Sequence, residues 1–355
     1  MRNFASVNRE ELYMQRCNDL ASRGIAQVAP NPMVGAVLVY EDRVIGEGYH
    51  MQYGQAHAEL NCLASVNVED LHLISKSTLF VSLEPCNHFG KTPPCTDLII
   101  KNKIPEVVIG CSDSFKKVNG AGIQKLKEAG INVRYGILEE EAQFLNRRFF
   151  TFHQKQRPYI ILKWAQSKDG FIAADTNHRT KISNEITDKL VHQWRSEESA
   201  IMVGTHTVRF DNPELTVRYV SGKNPLRVFI DKNLSIPDNS KILNQEAPTI
   251  IFNEISDIEK GLNRFVKLDF AQDSLSQMMS YLYQEKIMSV IVEGGQKLLQ
   301  SFIDQHLWDE ARVIKNKDLE LQRGVAAPKL NAVEKKEDGF ELQNNRINFY
   351  YQKRG

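Results

Sequence analysis

The sequence predicts an α/β protein of two consecutive domains. Short apolar runs of strand length alternate with stretches whose apolar residues recur every three or four positions, a pattern that sets helices on the faces of a sheet. At 355 residues the chain is long enough for two ordinary domains. The alternation breaks once, where Arg147 to Arg157 mixes charge with aromatics before Pro158. The boundary is placed there, near residue 155, giving domains at 1–152 and 158–355.

In the first part, Leu12, Tyr13, Cys17, Leu20 and Ala21 form a helical stripe from Glu10 that closes at Gly24. Asn31-Pro32 makes a turn. Val34 to Tyr40 and Val44 to Tyr49 read as strands joined by a short polar link that suits a hairpin. Ala58, Leu60, Leu63 and Ala64 give a helix opened by His57. Thr78 to Leu83 is a buried strand, followed by a helical run from Leu98. Val107 to Gly110 is another strand, Gly122 to Ala129 a helix closed by Gly130, and Ile131 to Val133 a short strand. Glu139 to Phe150 is expected as one final helix.

The second part repeats the logic. Strands are expected at Tyr159 to Ala165, Ser199 to Val203, Leu226 to Ile230, Thr249 to Phe252, Ser289 to Val292, Glu310 to Ile314 and Ile347 to Tyr351. Helices are expected from Glu185 to about Arg195 with Ser183 as N-cap, from Ser274 to Lys286, and from Gln296 to Gln305. Lys315 to Gln343 is polar and irregular, with no element assigned.

Composition narrows the class. A net charge of +1 with one quarter charged residues describes a folded globular chain without the basic excess of a nucleic-acid surface. No apolar run reaches membrane-spanning length, and Met1 to Gln15 lacks the apolar core of a signal peptide. A cytoplasmic protein with no membrane and no nucleic-acid partner is expected. The five cysteines, at 17, 62, 86, 95 and 111, show no disulfide framework and fit a reducing compartment.

Chemistry concentrates in His57-Ala58-Glu59, Pro85-Cys86 and Cys95. One imidazole and two thiolates hold zinc and leave a fourth position open. Glu59 stands beside the metal as proton carrier, the zinc deaminase pattern. Cys95 near a helix start favours thiolate. Eight residues separate the two cysteines where two is usual. His88 is a loop side chain rather than a fourth ligand. In the second half, Val292-Glu293-Gly294-Gly295 ends a strand, bares the backbone and opens a helix, a place for phosphate. Gly204 to Thr207 also follows a strand. Arg195 and Arg218 are candidate clamps for a phosphorylated substrate. No G-x-G-x-x-G is present, so a Rossmann site is not supported.

Over nearly the whole chain these residues resemble the bifunctional riboflavin-biosynthesis deaminase–reductase family. The first half carries Pro30 to Gly35, Gly46 to His50, His57-Ala58-Glu59 and Leu83 to Cys95, whose Thr-Pro-Pro-Cys ending distinguishes the family among zinc deaminases. The second half carries Lys163, Ser167 to Gly170, Arg195, Val203 to Val208, Asp211-Asn212-Pro213, Leu215 to Arg218 and Val292 to Gly295. The resemblance implies a cytidine-deaminase-like three-layer domain followed by a dihydrofolate-reductase-like α/β domain. It implies zinc and NADPH as cofactors, a phosphorylated pyrimidine as substrate and a homo-oligomer. It implies metal ligands His57, Cys86 and Cys95, with Glu59 catalytic. NADPH contacts carry over to Ala165, Thr207, Asp211 and Gly295, and substrate contacts to Arg195, Leu215, Arg218 and Glu293. Lys163, Arg179, Lys181, Ser183 and Asn31 complete the set. Two positions depart from the family pattern near the reductase site. Lys181 stands where a stacking Trp is usual, and Arg179 where a small hydroxyl residue is usual. A deaminase with a silent reductase half, or a nucleic-acid-editing deaminase, stays open as an alternative.

Overall fold

A computed structural model describes residues 8–90, 93–112, 120–174, 180–331, 333–337 and 339–352. The chain divides into two compact units, Met1–Lys155 and Gln156–Gly355.

The first unit is a five-stranded mixed sheet between helices. Its elements are α1 (Arg9–Ser22), β1 (Gly35–Tyr40), β2 (Arg43–Tyr49), α2 (Ala58–Ala64), β3 (Thr78–Leu83), α3 (Cys95–Lys101), β4 (Glu106–Cys111), α4 (Ala121–Glu128), β5 (Asn132–Tyr135), α5 (Glu139–Leu145) and α6 (Arg147–Lys155). The sheet order is β2-β1-β3-β4-β5, with β1 antiparallel to both neighbours and β3, β4 and β5 parallel. Glu41 and Asp42 both take positive φ, 49° and 58°, the two-residue turn that matches strand twist in a hairpin. Alternate strand residues face opposite layers. Ala36, Leu38, Leu79, Val81, Val107 and Ile109 pack with Ala58, Cys62, Ile99, Ile123 and Leu126 from α2, α3 and α4. Val37, Val39, Phe80 and Val108 pack with Met14, Cys17 and Leu20 from α1. Strands covered on both faces read as unbroken apolar runs, which is why the sequence shows them.

The second unit is built on an eleven-stranded sheet. Its elements are β6 (Tyr159–Gln166), β7 (Phe171–Ala174), α7 (Glu185–Glu197), β8 (Ala200–Val203), α8 (Thr205–Asp211), β9 (Leu226–Ile230), β10 (Thr249–Asn253), β11 (Ile258–Lys260), β12 (Asn263–Lys267), α9 (Ser274–Gln284), β13 (Ser289–Val292), α10 (Gln296–Asp304), β14 (Glu310–Asn316), β15 (Gly324–Ala326), β16 (Val333–Glu337), β17 (Glu341–Leu342) and β18 (Asn345–Gln352). The order is β11-β12-β10-β9-β8-β13-β6-β14-β18-β16, with β17 paired to β18. From β12 to β14 all neighbours are parallel; β11, β18 and β16 pair antiparallel. Leu275, Met278, Leu299 and Phe302 of α9 and α10 cover one face, and Val191, Trp194 and Val208 of α7 and α8 the other.

Three expectations are corrected. The helix expected from Glu139 to Phe150 is two helices, α5 and α6, parted at Asn146 with φ −93° and ψ 18°. Asn146 is buried and its amide is committed to Met33, accepting from the backbone N–H and donating to the carbonyl, both at 2.8 Å. The N-cap of α7 is Asn184, whose side chain accepts from the Thr187 N–H at 2.9 Å, while Ser183 donates its hydroxyl to Asp188 at 2.6 Å. The stretch from Lys315 to Gln343 holds three short strands, β15, β16 and β17, and the end of β14.

Gly48 decides how α2 sits. A Cβ there would come within 2.2 Å of the Cys62 backbone nitrogen, so only glycine lets the helix that begins beside His57 lie on β2. Gly48→Ala is expected to destabilise the protein by about 1–3 kcal/mol, the cost of forcing packed backbone apart. A fall in the urea midpoint of unfolding checks it, and an unchanged midpoint would contradict the packing described.

Candidate functional site

The first unit brings His57, Cys86 and Cys95 together from three segments. His57 is the N-cap of α2, with φ −76° and ψ 168°. Cys95 is the first residue of α3. Cys86 lies in the loop after β3. His57 Nδ1 is 3.5 Å from the Cys86 sulfur and 3.3 Å from the Cys95 sulfur. All three ligand atoms lie within 4.8 Å of one another. One nitrogen and two sulfurs at that spacing suit bonds of ~2.0–2.3 Å to a single zinc ion. Glu59 lies in the first turn of α2, 3% exposed.

The charges fit a cation. The Cys86 thiol is drawn down to about 4, mainly by a hydrogen bond from Cys95 and also by His57. Cys95, giving that bond and buried, is pushed up. Glu59 is raised by burial first and by the Cys86 charge second. The backbone N–H of Cys95 also donates to the Cys86 sulfur at 3.4 Å.

Two buried polar groups hold this cluster, and neither was singled out from the residue pattern. Glu84 accepts from the N–H groups of Gly122 at 2.9 Å, Gly120 at 3.2 Å and Ile123 at 3.3 Å, tying the Pro85-Cys86 loop to the start of α4. The signal in the sequence is an acid directly after the largely apolar strand Thr78–Leu83. His50 is 2% exposed, and its ring meets that of His57 edge-on at 5.2 Å between centroids. Burial lowers its pKa and so favours the neutral ring. Its Nδ1 faces the Ala56 carbonyl at 3.0 Å, which assigns the proton there and leaves Nε2 to accept from Asn31 Nδ2 at 3.1 Å. Asn31 is thus fixed by a ring that touches His57. His88 is exposed and outside the cluster, and Cys17, Cys62 and Cys111 are buried elsewhere.

The second unit brings together Lys163, Arg195 and Glu293, and separately Thr207 and Gly295. Glu293 follows β13 and donates its backbone N–H to Met202 at 3.0 Å. Its carboxylate takes two bonds from Arg195, Nε at 2.7 Å and Nη2 at 2.8 Å, and one from Lys163 Nζ at 3.4 Å. Burial alone would push this carboxyl up, but the two cations hold it far below the usual glutamate range. Arg218 is 42% exposed at its side chain and bonds Glu214 at 2.9 Å. Leu215 sits at φ 56° while buried, a left-handed conformation that a bulky residue adopts only under constraint.

Gly204 donates to the Gly294 carbonyl at 2.9 Å, and a Cβ on Gly295 would lie 3.2 Å from Thr207 Oγ1. Thr207 and Gly295 therefore meet, at the start of α10, whose N-cap glycine leaves the first N–H groups without a side-chain partner. Such a cradle suits a cofactor phosphate. Ala165 lies on β6 opposite Ile314, and Asp211 ends α8. Lys181 and Ser183 both engage Asp188 on α7. Arg179 lies outside the described residues.

Glu293→Gln would leave Arg195 and Lys163 buried without their counter-ion, and breaking such a pair typically costs about 3–5 kcal/mol. Because the folded carboxyl is depressed, its stabilisation is complete above the ordinary pKa of 4.5 and fades as pH falls below it. Urea unfolding of wild type and variant at pH 7 and pH 3 checks both the loss and its narrowing in acid. Equal midpoints at pH 7 would contradict it.

Comparison with known proteins places both halves. The cytidine and deoxycytidylate deaminase zinc-binding region family matches residues 7–111, and the RibD C-terminal domain family matches residues 158–316. The chain is 41% identical over 305 residues to the riboflavin biosynthesis protein RibD of Aquifex aeolicus, covering 84% of each. It is 31% identical over 318 residues to that of Escherichia coli, covering 85% of this chain and 86% of the relative. A diaminohydroxyphosphoribosylaminopyrimidine deaminase/5-amino-6-(5-phosphoribosylamino)uracil reductase from Thermotoga maritima superposes with a TM-score of 0.87 at 34% identity, over 97% of this chain and 99% of that one. The two folds expected from the sequence, cytidine-deaminase-like and then dihydrofolate-reductase-like, are those of these relatives. The chain belongs to the RibD family of riboflavin biosynthesis proteins.

Proposed function

We propose that this chain performs two consecutive steps of riboflavin biosynthesis: hydrolytic deamination of 2,5-diamino-6-(5-phosphoribosylamino)pyrimidin-4-one, then NADPH-dependent reduction of its ribosyl group to ribityl. The observation that carries the reading is the buried Glu59 beside a cluster of His57, Cys86 and Cys95 within 4.8 Å. A purely structural zinc site closes with a fourth ligand and has no use for a proton carrier. The domains proposed are residues 1–152 for deamination and 158–355 for reduction.

When bound by His57, Cys86 and Cys95, zinc supplies Lewis acidity that makes water a nucleophile near neutral pH. Glu59 moves a proton from that water toward the leaving amine, as the carboxylate of zinc deaminases does. Asn31, held by His50, orients the pyrimidine. In the second half NADPH supplies the hydride. Thr207 and Gly295 hold its phosphates, with Ala165 and Asp211 as further contacts. Arg195, fixed by Glu293 and Lys163, and the exposed Arg218 bind the sugar phosphate, with Leu215 presenting backbone. Lys181, Ser183 and Arg179 border the substrate. The partner is a small molecule and not a nucleic acid, consistent with a net charge of +1. Among the described residues no helix is long and apolar enough to cross a membrane. We place the enzyme in the cytoplasm as a homo-oligomer.

Glu59→Gln should retain zinc and fold while ammonia release falls about 10²–10⁴-fold, the usual worth of a positioned acid–base group. Retained turnover would remove the proton-carrier role. Arg218→Ala should raise KM for the reduction about 10–100-fold, the loss of a charge-assisted bond, with ammonia release unchanged. Equal damage to both reactions would contradict two independent sites. Wild-type NADPH oxidation with the deaminated intermediate separates this reading from a silent reductase half, which Lys181 in place of the usual stacking Trp would favour.

A further inference from the structure

His192 lies one helical turn before Arg195 on α7, is 4% exposed, and has no role in the reaction described so far. Its ring nitrogens are distinguishable. The backbone N–H of Arg218, which can only donate, points at Nδ1 at 3.0 Å. Nδ1 is therefore bare, and a neutral ring carries its proton on Nε2. Burial first, and then Arg195 and Arg218, push the pKa of His192 down to about 4, so the ring is neutral at working pH. Glu293 and Asp188 act in the opposite sense and more weakly.

Nε2–H then faces Arg195 Nη1 at 3.4 Å. Both are donors, so the contact is no hydrogen bond. The Nε and Nη2 groups of Arg195 are already engaged by Glu293, and the one acceptor within reach of Nη1 among the described residues is the Thr216 carbonyl at 3.5 Å. Two largely buried N–H groups thus lie side by side with no strong acceptor among the described residues, next to Lys163 and Arg218, whose charges are shared with Glu293 and Glu214. An anionic oxygen about 2.8–3.0 Å from each would satisfy both. The ring also packs on Tyr219 at 4.5 Å between centroids, so it fixes the Arg218 segment as well.

We propose that His192 is a further substrate-recognition residue of the reductase half, its Nε2–H and Arg195 Nη1 forming one two-pronged donor for a phosphate oxygen on the sugar of the substrate. The inference rests on the reductase reading above.

Two isosteric variants separate recognition from packing. His192→Asn keeps an acceptor where Nδ1 stands and deletes the Nε2 donor. His192→Gln keeps a donor where Nε2 stands and deletes the acceptor. Ribose 5-phosphate binding to the full chain, by calorimetry, is the first readout. KM values for the phosphorylated substrate, its dephosphorylated form and NADPH are the second. His192→Asn should weaken ribose 5-phosphate about tenfold or more and raise KM for the phosphorylated substrate alike. KM for NADPH and for the dephosphorylated substrate should stay unchanged, and His192→Gln should bind within a few-fold of wild type. Wild-type binding by His192→Asn would overturn the proposal. So would an equal loss for both substrate forms, or a rise confined to NADPH, which would assign the donor pair to the cofactor's phosphate. A wild-type chain that binds ribose 5-phosphate but oxidises no NADPH would sink the reductase reading and leave the anion site standing.

Discussion

The convergence of one ring nitrogen and two sulfurs within 4.8 Å is the constraint to which the first half of this chain is built. The three atoms come from separate segments, so their meeting depends on the sheet. β1 lies between β2 and β3, and His57 follows β2 while Cys86 follows β3. The segments can close on each other only because helices lie tight on the strands. Gly48 admits the backbone of α2, and Gly122 admits the Pro85 carbonyl, where a Cβ would stand 2.2 Å away. Glu84 then fastens the cysteine loop to α4 with three backbone N–H groups. None of these contacts is made by the three side chains themselves, yet each sets where one of them stands.

The second half solves a different problem, holding two cations on one shared carboxylate in a largely buried place. Glu293 takes both prongs of Arg195 and a third bond from Lys163. Two cations share one carboxylate, and the Nη1 group of Arg195 keeps donor capacity for an incoming anion. The desolvation cost of such a cluster is large, so it is weak evidence for stability and better evidence for binding. Leu215 in a left-handed conformation beside the same segment is a second mark of a structure shaped for a ligand. Arg218 differs from Arg195: its side chain is exposed and bonds Glu214 and Thr216 rather than a buried carboxylate, so it can turn toward substrate at little cost.

Much of this was legible in the sequence because the central strands are covered on both faces and therefore read as apolar runs. The zinc pattern was legible because ligand chemistry restricts residue type. What escaped depends on partners far along the chain. Asn146 breaks a helix by bonding Met33, 113 residues away, which apolar spacing cannot register. Ser183 and Asn184 are equally able N-caps on paper, and the backbone path chooses the second. β16 and β17 sit at a sheet edge, where polar and charged residues are favoured, so no apolar run announced them. His192 becomes meaningful only when the Arg218 N–H, 26 residues on, folds against it.

The most direct test of the account is X-ray absorption at the zinc edge on protein purified without chelators, with metal content measured on the same sample. The account predicts one zinc per chain, with two sulfurs at ~2.3 Å and the remaining nitrogen and oxygen ligands at ~2.0–2.1 Å. A chain free of zinc, or a shell with no sulfur in it, would contradict it.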